Sequence, residues 1–137
     1  MLGTLERRKP WGFTLIELLV VMMLIGILAS LAIGRYFRVR DKSCVAAASY
    51  DLDTVRKLLA YYSVDWSTYP PSAASYQDLT DQLVGPDGRP YGTTPHGSTY
   101  QFVSYALAAN NDYVLRVRAL DNGGTILRAT PETIERE

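Results

Sequence analysis

At 137 residues the chain has room for one modest domain with an appended segment. Its formal net charge is zero, so no global field draws it toward nucleic acid. The single cysteine, Cys44, excludes an internal disulfide and any multi-cysteine metal site, and the single histidine, His96, leaves little for metal-assisted chemistry.

The charge is unevenly spread. Residues 1–12 hold Arg7, Arg8 and Lys9 against Glu6. From Phe13 to Ile33 only Thr14, Glu17 and Ser30 are polar. As a helix this stretch is about 31 Å long, which matches a hydrocarbon core of about 30 Å. A helix apolar on all sides is hard to bury in so small a protein, so the stretch predicts a membrane span. A secretory signal peptide would show the same basic start and apolar run, with cleavage after small residues such as Ser30-Leu31-Ala32. Against that alternative, Glu17 interrupts the start of the run and the helical pattern continues past Ile33. A carboxylate at the edge of a span is costly and marks a functional site.

Gly26, Ser30 and Gly34 recur every four residues and so share one helix face, where small side chains let backbones approach closely. Arg35, Tyr36, Phe37 and Arg38 then form a basic and aromatic flank, followed by Arg40 and Lys42, of the kind that anchors a span at the membrane interface. The same flank as a DNA-binding element lacks any base-reading companion, and nucleic acid is not an expected partner. Downstream, Val45, Ala48, Leu52, Val55, Leu59 and Tyr62 make one apolar stripe at helical spacing, with Asp51, Asp53, Arg56 and Lys57 off it. The helix is expected to continue to about residue 64 and to stop at STYPPS, where Pro70 and Pro71 forbid further turns. Residues 75–84 predict one short helix, and GPDGRPYGTTPHGS, residues 85–98, predicts a surface loop. TYQFVSY, DYVLRVRAL and TILRAT predict three antiparallel strands. In the second, Tyr113, Leu115, Val117 and Ala119 alternate with Val114, Arg116 and Arg118, so one face is expected to be buried. DNGG, Asp121 to Gly124, predicts the hairpin turn between the last two strands. The fold class is therefore α+β, a long helix packed on a small antiparallel sheet.

GFTLIELLVVMMLIGILASLAI resembles the N-terminal signature of type IV pilins and of the related pseudopilins of type II secretion. That resemblance implies a basic leader, residues 1–12, cut by a prepilin peptidase between Gly12 and Phe13, followed by N-methylation of Phe13. It further implies a single-pass protein in the inner membrane with its head in the periplasm, delivered by an assembly platform into a filament of its own copies or other pilins. On assembly it would stand in a pilus at the cell surface. The new Phe13 amine would lie at the positive end of the helix dipole, which disfavours it. Glu17, at i+4, is then placed to offset that charge in its own helix or to reach the amine of a neighbouring subunit, so Glu17 and Phe13 are the expected assembly residues. Many type IV pilins carry proline where Gly34 stands; glycine weakens a helix but keeps its amide donor.

The expected organisation is a leader at 1–12, a membrane and assembly helix at 13–34, its amphipathic continuation at 35–64, and a globular head at 65–137. A pilus subunit is the first functional reading, a type II secretion pseudopilin the alternative, and a membrane-tethered lipid- or DNA-binding module that never assembles the third. No enzyme activity or cofactor is expected: His96 sits in a loop with no paired nucleophile. Asp78, Asp81 and Asp87 do not match a calcium loop and are expected to be solvated turn carboxylates, although the major pseudopilins bind calcium near their C-termini. Cys44 is expected to pack as a small apolar residue. The ten tyrosines raise aromatic electron transfer along a fibre, but sheet faces and interfaces account for most of them.

Overall fold

The computed structural model describes residues 12–95 and 97–137. Arg7, Arg8 and Lys9 of the leader, and His96, lie outside the described residues. One helix, α1, runs continuously over Leu15–Trp66, and a short helix α2 follows at Tyr76–Gln82. The described residues also form four strands: β1 at Tyr100–Leu107, β2 at Tyr113–Ala119, β3 at Ile126–Ala129 and β4 at Ile134–Arg136. The architecture is α+β. The chain divides after Phe37 into two units.

The first unit is the apolar part of α1. It contains no proline after the start and many strong helix formers, and every residue from Gly12 to Phe37 is exposed. Leu15, Ile16, Met22, Met23, Leu28 and Leu31 each leave more than half of their surface uncovered. The helix is long and apolar enough to cross a membrane. Nothing in the described chain shields this surface.

The second unit, from Arg38 onward, builds a core of the kind the first lacks. Val45, Ala48, Leu52, Val55 and Leu59 of α1 are buried, and Tyr62 packs on them, as the 3-4 spacing predicts. Leu58 is buried as well and widens the stripe. Their partners are the inward residues of the sheet: Tyr113, Leu115, Val117 and Ala119 of β2, with Leu127 and Ala129 of β3. The sheet is antiparallel in the order β1-β2-β3-β4. Three strands were expected and, among the described residues, four are found. The additional β4 pairs Ala129 with Ile134 and Leu127 with Arg136. It is short and polar, so only its partner strand reveals it.

The turns follow local chemistry. Helix α1 ends at Trp66, Ser67 takes a left-handed φ of 55°, and Pro70 is buried just beyond. The Tyr105 hydroxyl donates to Pro70 O at 3.0 Å, which ties the end of the helix to β1. Ser75 caps α2 by accepting the Asp78 amide at 3.1 Å. In the DNGG turn, the Asp121 carboxylate accepts the Thr125 amide at 2.8 Å and its hydroxyl at 2.7 Å. These hydrogen bonds hold the Asp121 carboxyl below the usual range for an aspartate. Gly124 takes φ +60°, a conformation that a side chain would strain.

Candidate assembly site

The sequence places the site at the start of α1, where an acidic residue enters an apolar helix. The Thr14 amide donates to Glu17 Oε2 at 3.2 Å and the Thr14 hydroxyl to the same oxygen at 3.1 Å. In return the Glu17 amide donates to Thr14 Oγ1 at 3.3 Å. This reciprocal pattern is a capping box, built on T-x-x-E with Thr14 as the cap and Glu17 three residues on. The acidic first turn also suits the positive end of the helix dipole. The sequence pairs Glu17 with a Phe13 amine, in its own helix or a neighbouring subunit; the capping of its own helix start was missed, although the TLIE spacing carries the signal.

The capping box changes the energetics of the site. A carboxylate leaving water for an apolar environment is disfavoured unless hydrogen bonds satisfy it. Here one oxygen, Oε2, is held by two donors of the same helix turn, and the other, Oε1, accepts no hydrogen bond among the described contacts. The carboxylate is therefore held in one orientation, with Oε1 left as an acceptor. Phe13, whose backbone nitrogen would be the cationic partner, immediately precedes Thr14 and is exposed.

Gly26, Ser30 and Gly34 fall on one exposed face of the helix. Ser30 turns its hydroxyl back onto Ile27 O at 2.8 Å, so its polar atom is satisfied within the helix. A methyl group placed at Gly26 or Gly34 would meet nothing within 4 Å. Arg35, Tyr36, Phe37 and Arg38 are all exposed, with the two rings edge to face at 5.9 Å. The structure thus puts the apolar surface, the small-residue face and the basic-aromatic flank on one helix, in that order from Glu17.

The other candidates resolve into local structure. Asp78 accepts the Ala74 amide at 3.0 Å, Asp81 accepts from the Gln77 side chain at 2.8 Å, and Asp87 accepts the Arg89 amide at 3.1 Å. Among the described residues no three His, Cys, Asp or Glu side chains gather as metal ligands would. Cys44 is half-buried beside Ala47, Thr99 and Leu120. Tyr100, Tyr105 and Tyr113 are buried in the core, and Tyr69 stands edge to face on Tyr113 at 4.8 Å.

Comparison with known proteins points to the same end of the chain. The family described as Prokaryotic N-terminal methylation motif matches residues 12–33. The type II secretion system core protein G of Vibrio cholerae is 30% identical over 108 residues, 72% of this chain and 74% of that protein. The protein of the same name from Klebsiella michiganensis is 33% identical over 110 residues, 73% of this chain and 78% of its own. The one from Pseudomonas aeruginosa is 28% identical over 125 residues, 77% and 88% of the two chains. No solved structure gives a significant match. These matches extend well beyond the apolar motif into the head, and the chain belongs to the pilin and pseudopilin family, alongside the type II secretion system core protein G.

Proposed function

We propose that this chain is a pseudopilin of a type II secretion system, a structural subunit that polymerises through its apolar helix and so drives protein export. The relatives named above favour this reading over a surface pilus, the first expectation from the sequence. Leader cleavage between Gly12 and Phe13 by a prepilin peptidase, methylation of the Phe13 amine, and residence in the inner membrane with the head in the periplasm belong to the same proposal. So do the organisation into leader, assembly helix, amphipathic continuation and head, and a structural rather than catalytic role. Gly26, Ser30 and Gly34 are the proposed close-approach face, and Arg35, Tyr36, Phe37 and Arg38 the proposed interface anchor before assembly.

The observation that carries the reading is the first unit itself. Its apolar surface is entirely uncovered, beside an acidic residue already oriented by Thr14. A bilayer covers that surface before assembly and other copies of the helix cover it afterwards. In the filament Glu17 pairs with a Phe13 amine, its own or a neighbour's, away from water, where the pair is worth more than at a surface. A tether that never assembles has no use for such a pair.

Two substitutions separate the pair from the cap. Glu17→Gln keeps a capping-box residue but removes the charge, whereas Glu17→Ala removes both. If the pair assembles the filament, both variants insert and are cleaved normally, and both yield few or no filaments. The uncompensated amine then costs on the order of a few kcal/mol per subunit. Abundant filaments from Glu17→Gln would reduce Glu17 to a helix cap and sink the assembly role. Intact mass should match residues 13–137 with one methyl group, and a chain beginning at Ile33 would restore a secretory signal.

A further inference from the structure

Charge in the unit from Arg38 onward is segregated along α1. At its start Arg38, Arg40 and Lys42 stand against Asp41 alone, and Asp41 accepts the Asn122 amide at 3.3 Å. Arg40 and Lys42 are exposed, and neither forms an ion pair among the described residues. At the other end of α1 stands Asp65; residues 65–95 hold Asp65, Asp78, Asp81 and Asp87 against Arg89, and all four carboxylates are exposed. Asp65 sits in the last turn of α1, which contains no basic residue, so it adds to the negative end of the helix dipole. Asp65 and Asp87 line one recess with Tyr91, whose hydroxyl donates to Asp65 at 2.8 Å. The cation present, Arg89, reaches Asp87 only at 3.9 Å. Arg40 and Asp65 are 25 positions apart on one helix, a separation of about 37 Å.

An open filament needs a heterologous contact, in which one surface of a subunit meets a different surface of the next. We propose that the acidic recess at the end of α1, formed by Asp65 and Asp87, docks on the Arg40–Lys42 segment of the next copy. The proposal rests on the filament reading above. Before assembly the same basic segment lies beside lipid headgroup phosphates, and in the filament carboxylates of another copy replace them. Each rim ion pair is weak on its own. Its effect is on register: it rewards one head-to-helix placement and makes like-charged placements unfavourable. The apolar helices supply most of the affinity.

Full-length chains with Arg40→Glu and Lys42→Glu, or with Asp65→Lys and Asp87→Lys, test the contact. Each pair should lower filament yield, counted per inserted and cleaved chain, about tenfold or more, the equivalent of one 1.4 kcal/mol step. The chain with all four changes should recover most of the yield, because the charges are exchanged and not lost. Normal filaments from either double variant would overturn the proposal. So would a fourfold variant no better than Arg40→Glu with Lys42→Glu, which would assign the basic segment to lipid alone. Unchanged and Glu17→Ala chains are measured alongside. No filaments from the unchanged chain would remove the filament reading itself, whereas filaments from it together with normal filaments from the charge variants would remove only the docking.

Discussion

Asp121 shows how much a single carboxylate can organise. It accepts the Thr125 amide and hydroxyl, and the Asp121 carbonyl accepts the Gly124 amide at 3.1 Å, so one residue closes the hairpin between β2 and β3. Asp121→Ala leaves the Thr125 donors to water and should lower head stability by about 1 kcal/mol at neutral pH, as measured by urea unfolding. The pH dependence has a definite sign. The folded carboxyl is held below its ordinary value of 3.8, so the unfolded chain binds the proton more readily. The contribution is complete above the unfolded value and is lost as pH falls through the lower folded value. The gap between Asp121→Ala and the unchanged head should therefore be full at pH 7 and shrink below pH 3.8. A gap that stayed constant into acid would mean that the charge of Asp121 contributes nothing. Thr14 and Glu17 repeat the logic at a helix start. There the hydrogen bonds hold a carboxylate in position near an apolar surface.

At the scale of elements, the back half of α1 was the most legible part of the sequence. Six apolar residues at alternating 3 and 4 spacing leave one helical solution, and Val45, Ala48, Leu52, Val55 and Leu59 are all buried. Leu52→Ala should therefore cost the head about 3 kcal/mol. Its melting temperature should fall by about 12 °C or more. Tyr50→Ala, on a side chain 75% exposed, should change little. Equal effects from the two would mean that the stripe does not face the sheet. The inward face of β2 was equally legible, because strict alternation over seven residues admits one orientation. Two sheet features were harder. In β1 the buried residues Tyr100 and Tyr105 are separated by an odd interval, and the structure resolves it with an irregularity between Phe102 and Ser104. Strand β4 offers one apolar residue, Ile134, and no periodicity to read. The loop before β1 reads as polar surface, yet Val84 and Pro90 form a β-bridge and the Gly85 amide reaches Arg89 O at 2.8 Å. Of the assembly site, the composition of the span and Glu17 were plain, while the capping box was present in TLIE and visible only once the hydrogen bonds were in place.

Across the whole molecule, apolar residues serve two different ends. In the second unit they meet one another: α1 covers the inner face of the sheet, and the buried set forms one continuous cluster from Val45 to Ala129. In the first unit the described apolar residues all remain exposed. The core cluster that holds the second unit together includes no residue before Val45. The head should therefore fold without the span. Residues 38–137, expressed alone, should be soluble and monomeric and should unfold in one cooperative transition, with circular dichroism showing both helix and sheet. Restoring residues 13–37 should leave the head's unfolding in detergent nearly unchanged while making the chain insoluble without it. An isolated head that aggregates or melts without cooperativity would show that the sheet depends on the span or on other subunits. Filament assembly and head folding would then be one process. If the head folds alone, then under the function proposed above a subunit can be complete before it leaves the membrane, and assembly needs only to exchange lipid for helix around the span.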